Sequence, residues 1–131
     1  MAPSIVGDDR IIAEGWNQVT STNDPTAHAE IVAIRKACTV LDRFDLRDCD
    51  IYANCEPCPM CLGAIYWARL RRMYYASTRA DAARIGFDDE FIYREIAVPL
   101  ERRKIPAVRI VDAGADFVFS EWANSPEKRR Y

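Results

Sequence analysis

The sequence predicts an α/β domain, and three observations carry that reading. Apolar periodicity alternates along the chain between short β-preferring runs and helical spacing, and turn or capping residues stand at the changes. No internal repeat, low-complexity tract or Gly/Ser-rich linker interrupts the series. With 131 residues, half of them apolar, there is material for one hydrophobic core and little for a second, so a single domain over residues 1–131 is expected.

The elements follow in order. Asp8-Asp9 opens a turn, and Ile11-Ile12-Ala13 reads as a short strand ending at Gly15. Residues 15–23 form a polar loop of the kind that lines the crevice at the carboxyl ends of strands. Asn23-Asp24-Pro25 pairs a capping side chain with a proline at an early helical position, which predicts a helix running to about Cys38 or Leu41. Between Cys49 and Cys55, DIYAN reads as a buried strand. Pro57 and Pro59 then punctuate entry into a second helix through Trp67. Met73-Tyr74-Tyr75 is the next strand, residues 88–96 a helix ending before Pro99, Ala107 to Val111 a last strand, and Phe117 to Asn124 a terminal helix. This alternation implies right-handed crossovers and a largely parallel sheet.

Composition narrows the function classes. A formal net charge of −2 gives no electrostatic reason for a polyanionic partner, so a small molecule fits better than nucleic acid. Arg102, Arg103, Lys104, Lys128 and Arg129 are offset by neighbouring acids and read as solvated surface. The start MAPSIVGDDR lacks a basic region followed by an apolar run, and no segment approaches the ~20 apolar residues that span a bilayer. A cytoplasmic protein without a membrane partner is expected. Five cysteines, an odd number, in a reducing compartment argue against a disulfide framework.

Three of those cysteines, Cys55, Cys58 and Cys61, are clustered and need a chemical explanation. Cys58 and Cys61, three apart at a helix start, place both sulfurs on one face, and the helix N-terminus favours their thiolate forms. His28 is the single histidine of the chain, expected in the first turn of the helix that begins near Pro25. One histidine and two thiolates make a three-ligand zinc site with an open fourth position, the arrangement that catalytic zinc needs for water. Glu30, two residues beyond His28, is poorly spaced to ligate beside it and well placed to move protons. His-x-Glu followed by Pro-Cys-x-x-Cys is the signature of zinc nucleobase deaminases. Other readings of the cysteines stay open. An iron–sulfur run needs a fourth cysteine where Ile65 stands, and a closed structural zinc site using all three cysteines with His28 leaves no room for water. On the catalytic reading Cys55 is a small buried residue at a strand end.

The stretches NDPTAHAEIVAIRKAC, CEPCPMCLGAIYWAR and GFDDEFIYREI together resemble bacterial guanine deaminases of the cytidine-deaminase-like fold, over almost the whole chain from Ile11 to Tyr131. tRNA adenosine deaminases and cytosine deaminases resemble it through the first two stretches alone. The resemblance implies a three-layer α/β/α architecture around a central, mostly five-stranded mixed sheet, one zinc per subunit, and hydrolytic deamination of guanine to xanthine and ammonia. It implies that Asn17 hydrogen-bonds the purine, that the Ala29 backbone contributes near the zinc, and that Asp89 binds the amine and helps to shuttle a proton to it. It further implies a homodimer that exchanges C-terminal segments, about residues 100–131, so that Tyr131 completes the partner's pocket and Trp67 helps to line it. Family members usually begin with a helix and a Gly-Pro-Phe-Gly-like turn, whereas this chain enters with SIVGDDRIIAEG. The expectation is therefore an uncovered sheet face, no aromatic stacked on the purine from that helix, and intact zinc ligands. Deamination of guanosine or another aminated ring is the alternative within enzymes, and a non-catalytic zinc-stabilised interaction module is the alternative from another class.

Overall fold

The computed structural model describes residues 2–87, 89–111 and 114–130. Strands β1 (Ser4–Gly7) and β2 (Arg10–Glu14) form a hairpin closed by Asp8 and Asp9, both at positive φ (49° and 56°), the mirror-image turn that suits the right-handed twist of paired strands. A single-turn helix α1 (Val19–Thr22) and helix α2 (Ala29–Leu41) follow, then β3 (Asp50–Cys55), α3 (Pro59–Trp67) and β4 (Arg72–Ser77). Helices α4 (Arg79–Arg84) and α5 (Asp89–Ala97), a 3₁₀ turn at Leu100–Arg102 and α6 (Ala115–Asn124) complete the described elements.

The sheet order is β2-β1-β3-β4. β1 runs antiparallel to both neighbours and β3 runs parallel to β4, so the sheet is mixed rather than largely parallel. The difference arises at Ser4–Gly7, a strand too short to announce itself, which inserts between β2 and β3. Four strands are present among the described residues, not five. Ala107–Val111, expected as the last strand, makes no ladder: Val108 and Ile110 are 84% and 78% exposed, and β-preferring residues form a strand only where an edge is there to pair with.

The core lies on one side of the sheet. Ile5, Ala13 and Ile51 face Ala33, Ile34 and Ala37 of α2 and Ile65 and Ala68 at the end of α3, with Leu46 and Cys49 closing one end. On β3, Ile51 and Ala53 are buried while Tyr52 and Asn54 are exposed, the two-residue alternation of a sheet with one wet face. On that open face Tyr52 stacks on its register partner Tyr74, centroids 4.6 Å apart and planes 13° apart. The packing found is that of two layers, sheet and α2–α3; the Tyr52–Tyr74 face is the one a third layer would take.

Candidate metal and active site

The helix expected to begin near Pro25 begins at Ala29 instead. Asp24 caps a local turn: its Oδ1 accepts from the Thr26 N–H at 2.8 Å and from the Thr26 hydroxyl at 2.7 Å, and its carbonyl accepts from Ala27 N–H at 3.1 Å. His28 therefore stands as the N-cap residue of α2, with extended backbone (φ −63°, ψ 155°), rather than inside its first turn. Cys58 is the N-cap of α3 with nearly the same backbone (φ −63°, ψ 165°), and its sulfur accepts from the Cys61 N–H at 3.5 Å. Two helix N-termini thus converge and present His28, Cys58 and Cys61 to one point.

The donor atoms of these three residues all lie within 4.8 Å of one another, with His28 Nδ1 and Cys58 Sγ 3.5 Å apart. Tetrahedral zinc with Zn–S of about 2.3 Å and Zn–N of about 2.05 Å sets its nitrogen and sulfur about 3.5 Å apart, so the donors stand where the ion requires them. Electrostatics point the same way. The Cys58 thiol is lowered to about 6, first by the hydrogen bond with the Cys61 side chain, helped by the Cys61 N–H and by His28 and opposed by burial. Cys61 is pushed upward by that same bond, by burial and by the Glu30 carboxylate. The two shifts oppose one another across a shared hydrogen bond, and a dication between the sulfurs favours the thiolate form of both. The residues fit zinc.

Glu30 sits in the first turn of α2, where its Oε2 accepts from the Cys61 thiol at 3.4 Å. It lies beside the metal donors without being one of the three. Asn17 is exposed in the loop after β2, its Oδ1 accepting from the Val19 N–H at 3.0 Å, and the same loop is tied beside His28 by Gln18 N–H donating to the Ala27 carbonyl at 2.9 Å. Asp89 opens α5; its charge and that of Glu30 are among the causes, after burial, that push the Cys55 thiol up. Trp67 stands at the far end of α3 from Cys58 and Cys61, 67% exposed, and lines a cleft of about 510 Å³ with Val118, Phe119, Trp122 and Arg130. The structure therefore gathers His28, Cys58, Cys61 and Glu30, places Asn17 in the loop tied to Ala27 and Asp89 at the start of a helix tied to Pro57, and does not bring Trp67 to the metal donors. Tyr131 lies outside the described residues.

Gly15 is a residue that sequence reasoning took for a strand end and no more. A Cβ there would lie 2.1 Å from the Ala29 carbonyl oxygen and 2.6 Å from Ala33 N, so glycine alone allows β2 to pass against the first turn of α2. Ala29 thus serves as the backbone surface on which the Asn17 loop rests. A glycine between a strand and a polar loop is a weak signal, and the clash partner twelve or more residues away is invisible without coordinates.

The fold and the His/Cys/Cys centre define a zinc-dependent deaminase domain. Residues 1–77 match the model of the cytidine and deoxycytidylate deaminase zinc-binding region, and the chain belongs to that family. It is 55% identical to the guanine deaminase of Bacillus subtilis over 127 residues, which is 97% of this chain and 81% of that protein. The crystal structure of the B. subtilis guanine deaminase superposes with a TM-score of 0.96 at 54% identity, covering 99% of this chain and 83% of the other. A tRNA-specific adenosine deaminase of Agrobacterium fabrum is 48% identical over 73 residues, 56% of this chain and 48% of that protein.

Proposed function

We propose that this chain is a guanine deaminase, converting guanine and water to xanthine and ammonia. The observation that carries the reading is identity of 55% over 97% of the chain to a guanine deaminase, against 48% over 56% and 36% over 77% of the chain to two tRNA-specific adenosine deaminases. The zinc site is held by His28, Cys58 and Cys61. When bound there, zinc supplies a Lewis acid that lets water act as a nucleophile near neutral pH.

The chain's own groups do the rest. Glu30, held at 3.4 Å from the Cys61 sulfur, takes one proton from the attacking water and passes it to the purine ring nitrogen, then takes the second from the hydroxyl of the tetrahedral carbon and passes it to the amine, which leaves as ammonia as the carbonyl forms. Asp89 receives that amine from the α5 side. Asn17 commits its carbonyl oxygen to Val19 and turns its amide NH₂ to an acceptor on the purine, while the Ala29 backbone closes the pocket between Asn17 and the metal.

The working enzyme is a homodimer with the segment from about residue 100 to 131 exchanged, Tyr131 completing the partner's pocket and Trp67 lining it. Support comes from that segment's own surface: Ile105, Val108, Ile110, Phe117, Val118 and Phe119 are each more than 60% exposed, apolar side chains that association would cover. Association also gives the open Tyr52–Tyr74 face a route to the third layer and fifth strand of the full α/β/α architecture. The domain is one unit over 1–131. No helix among the described residues is long and apolar enough to cross a membrane, and all five cysteines are free, which suits a reducing cytoplasm.

The test is ammonia release from guanine, guanosine, adenine and cytosine in parallel with zinc-loaded protein and a Glu30→Gln control. Guanine-selective release that depends on Glu30 supports the reading. Absence of release from every substrate at one zinc per chain sinks it and leaves a non-catalytic zinc-stabilised module.

A further inference from the structure

Helix α5 packs against α4 and α3 with no residue fully buried, Phe91 and Tyr93 being half-buried. A polar tie joins it to the loop before Cys58. The Tyr93 hydroxyl donates to the carbonyl oxygen of Pro57 at 2.8 Å, and Pro57 is fully buried and directly precedes the Cys58 ligand. Arg79 braces the same contact. Its guanidinium lies 4.6 Å over the Tyr93 ring and 3.5 Å from Glu90 Oε2, while its backbone N–H donates to Glu56 Oε2 at 3.1 Å, one residue before Pro57. The Glu56 N–H in turn donates to the Ser77 carbonyl at the end of β4 at 2.8 Å. The loop that delivers Cys58 and the helix that delivers Asp89 are therefore joined through one phenol and one guanidinium.

Position on the helix makes the tie consequential. Asp89 and Tyr93 are four residues apart, which on an α-helix puts them on one face, one turn above the other. Anchoring Tyr93 to Pro57 turns the Asp89 face toward the metal loop. In a helix with no fully buried residue, such a hydrogen bond to a buried carbonyl helps to fix rotation and distance, and a side chain that must meet a substrate within about 0.5 Å needs such a support.

We propose that Tyr93 is a positioning residue for the deaminase reaction: its hydrogen bond to the Pro57 carbonyl locks α5 to the Cys58 loop and so holds Asp89 over the substrate. This rests on the role given to Asp89 above. The experiment compares zinc-loaded wild-type chain with Tyr93→Phe, Asp89→Asn and the double variant. It reads bound zinc, kcat and KM for guanine, and backbone amide hydrogen exchange. Tyr93→Phe removes one oxygen and keeps the ring under Arg79. It is expected to retain one zinc, to lower kcat about tenfold with a smaller change in KM, and to speed exchange of amides 92–97 about tenfold while amides 32–37 stay as they were. In the Asp89→Asn background the same change is expected to cost no more than about a further twofold, because the group it positions is already gone. Unchanged exchange in α5, a kcat loss that multiplies in full with that of Asp89→Asn, or loss of zinc from Tyr93→Phe overturns the proposal. Wild-type turnover by Asp89→Asn would instead remove the role of Asp89 and with it the ground for a positioning residue, an outcome told apart by that single variant alone.

Discussion

The Cys61 thiol donates to Glu30 Oε2 across 3.4 Å, joining the first turn of α2 to the first turn of α3. A glutamine at position 30 offers a carbonyl oxygen to the thiol and an NH₂ to the thiolate that binds zinc, but cannot take up a proton. Glu30→Gln is therefore expected to bind zinc like the wild type and to lose about 10²- to 10⁴-fold in kcat, read by metal analysis beside ammonia release. Zinc loss equal to the activity loss would assign Glu30 to the metal's support and not to proton transfer.

Removal of the metal should be felt by the fold. His28 and Cys58 cap two different helices, so the ion ties α2 to α3. Chelation is expected to lower Tm, and zinc to restore it with a dependence on free zinc concentration, because a ligand that binds the folded chain stabilises it by mass action. A Tm indifferent to zinc would contradict a site assembled by these two caps.

Gly15 permits no side chain. With a Cβ 2.1 Å from the Ala29 carbonyl, Gly15→Ala must push β2 and the Asn17 loop off α2. A loss of roughly 2–4 kcal/mol in unfolding free energy is expected, together with a raised KM for guanine, measured by denaturant titration and steady-state kinetics. Wild-type stability in this variant would mean that the close approach of β2 to α2 does not exist.

Asp50, buried at the start of β3, accepts two hydrogen bonds from Arg71, at 2.9 and 3.0 Å. That bidentate contact is the main reason its carboxyl is held below the ordinary value of 3.8. A carboxyl depressed in the folded state adds stability that is fully present above its unfolded value and is lost as pH falls through the folded one. Because Arg71 is half-exposed, the effect is modest: Asp50→Asn should lower Tm by roughly 2–5 °C at pH 7. The gap from wild type should shrink steadily as the pH drops below 3.8, followed by thermal melts from pH 7 downward. A gap independent of pH would show that the charge of Asp50 contributes nothing.

The apolar surface of α6 should be where two copies meet. Val118 and Phe119 line the cleft with Trp67 and remain 63% and 73% exposed. The double change Val118→Asp with Phe119→Asp is expected to shift a wild-type dimer to monomer in sedimentation velocity while one zinc per chain is retained. A dimer of undiminished strength would place the interface elsewhere.

Much of the site is legible in the chain because its chemistry is local. Cys58 and Cys61 are spaced so that one helix start delivers both sulfurs, and the His28-Ala29-Glu30 run carries the third donor and a carboxylate beside it. The errors fall where long-range contacts decide. Asn23-Asp24-Pro25 has the residues of a helix start, yet Asp24 closes a turn on Thr26 and the helix waits until Ala29. His28 and Glu30 are separated not by their spacing within one helix but because His28 caps the helix while Glu30 is inside it. Helix α4 went unread although Thr78 and Asp81 form a capping box, with each side chain accepting from the other's backbone N–H, a signal present in the sequence.

By itself the sequence determined the α/β class, the two helices whose starts bring the donors, and the candidate set from which zinc ligands come, because alternation, capping and ligand spacing are properties of neighbouring residues. Tertiary structure alone decided that β1 inserts antiparallel between β2 and β3, that Ala107–Val111 stays out of the sheet, that Gly15 must lack a side chain, and that Tyr93 reaches Pro57. Each of these depends on which distant surface a segment meets. Backbone hydrogen bonds, close backbone approach and a buried carbonyl acceptor are settled by partners that lie far along the chain.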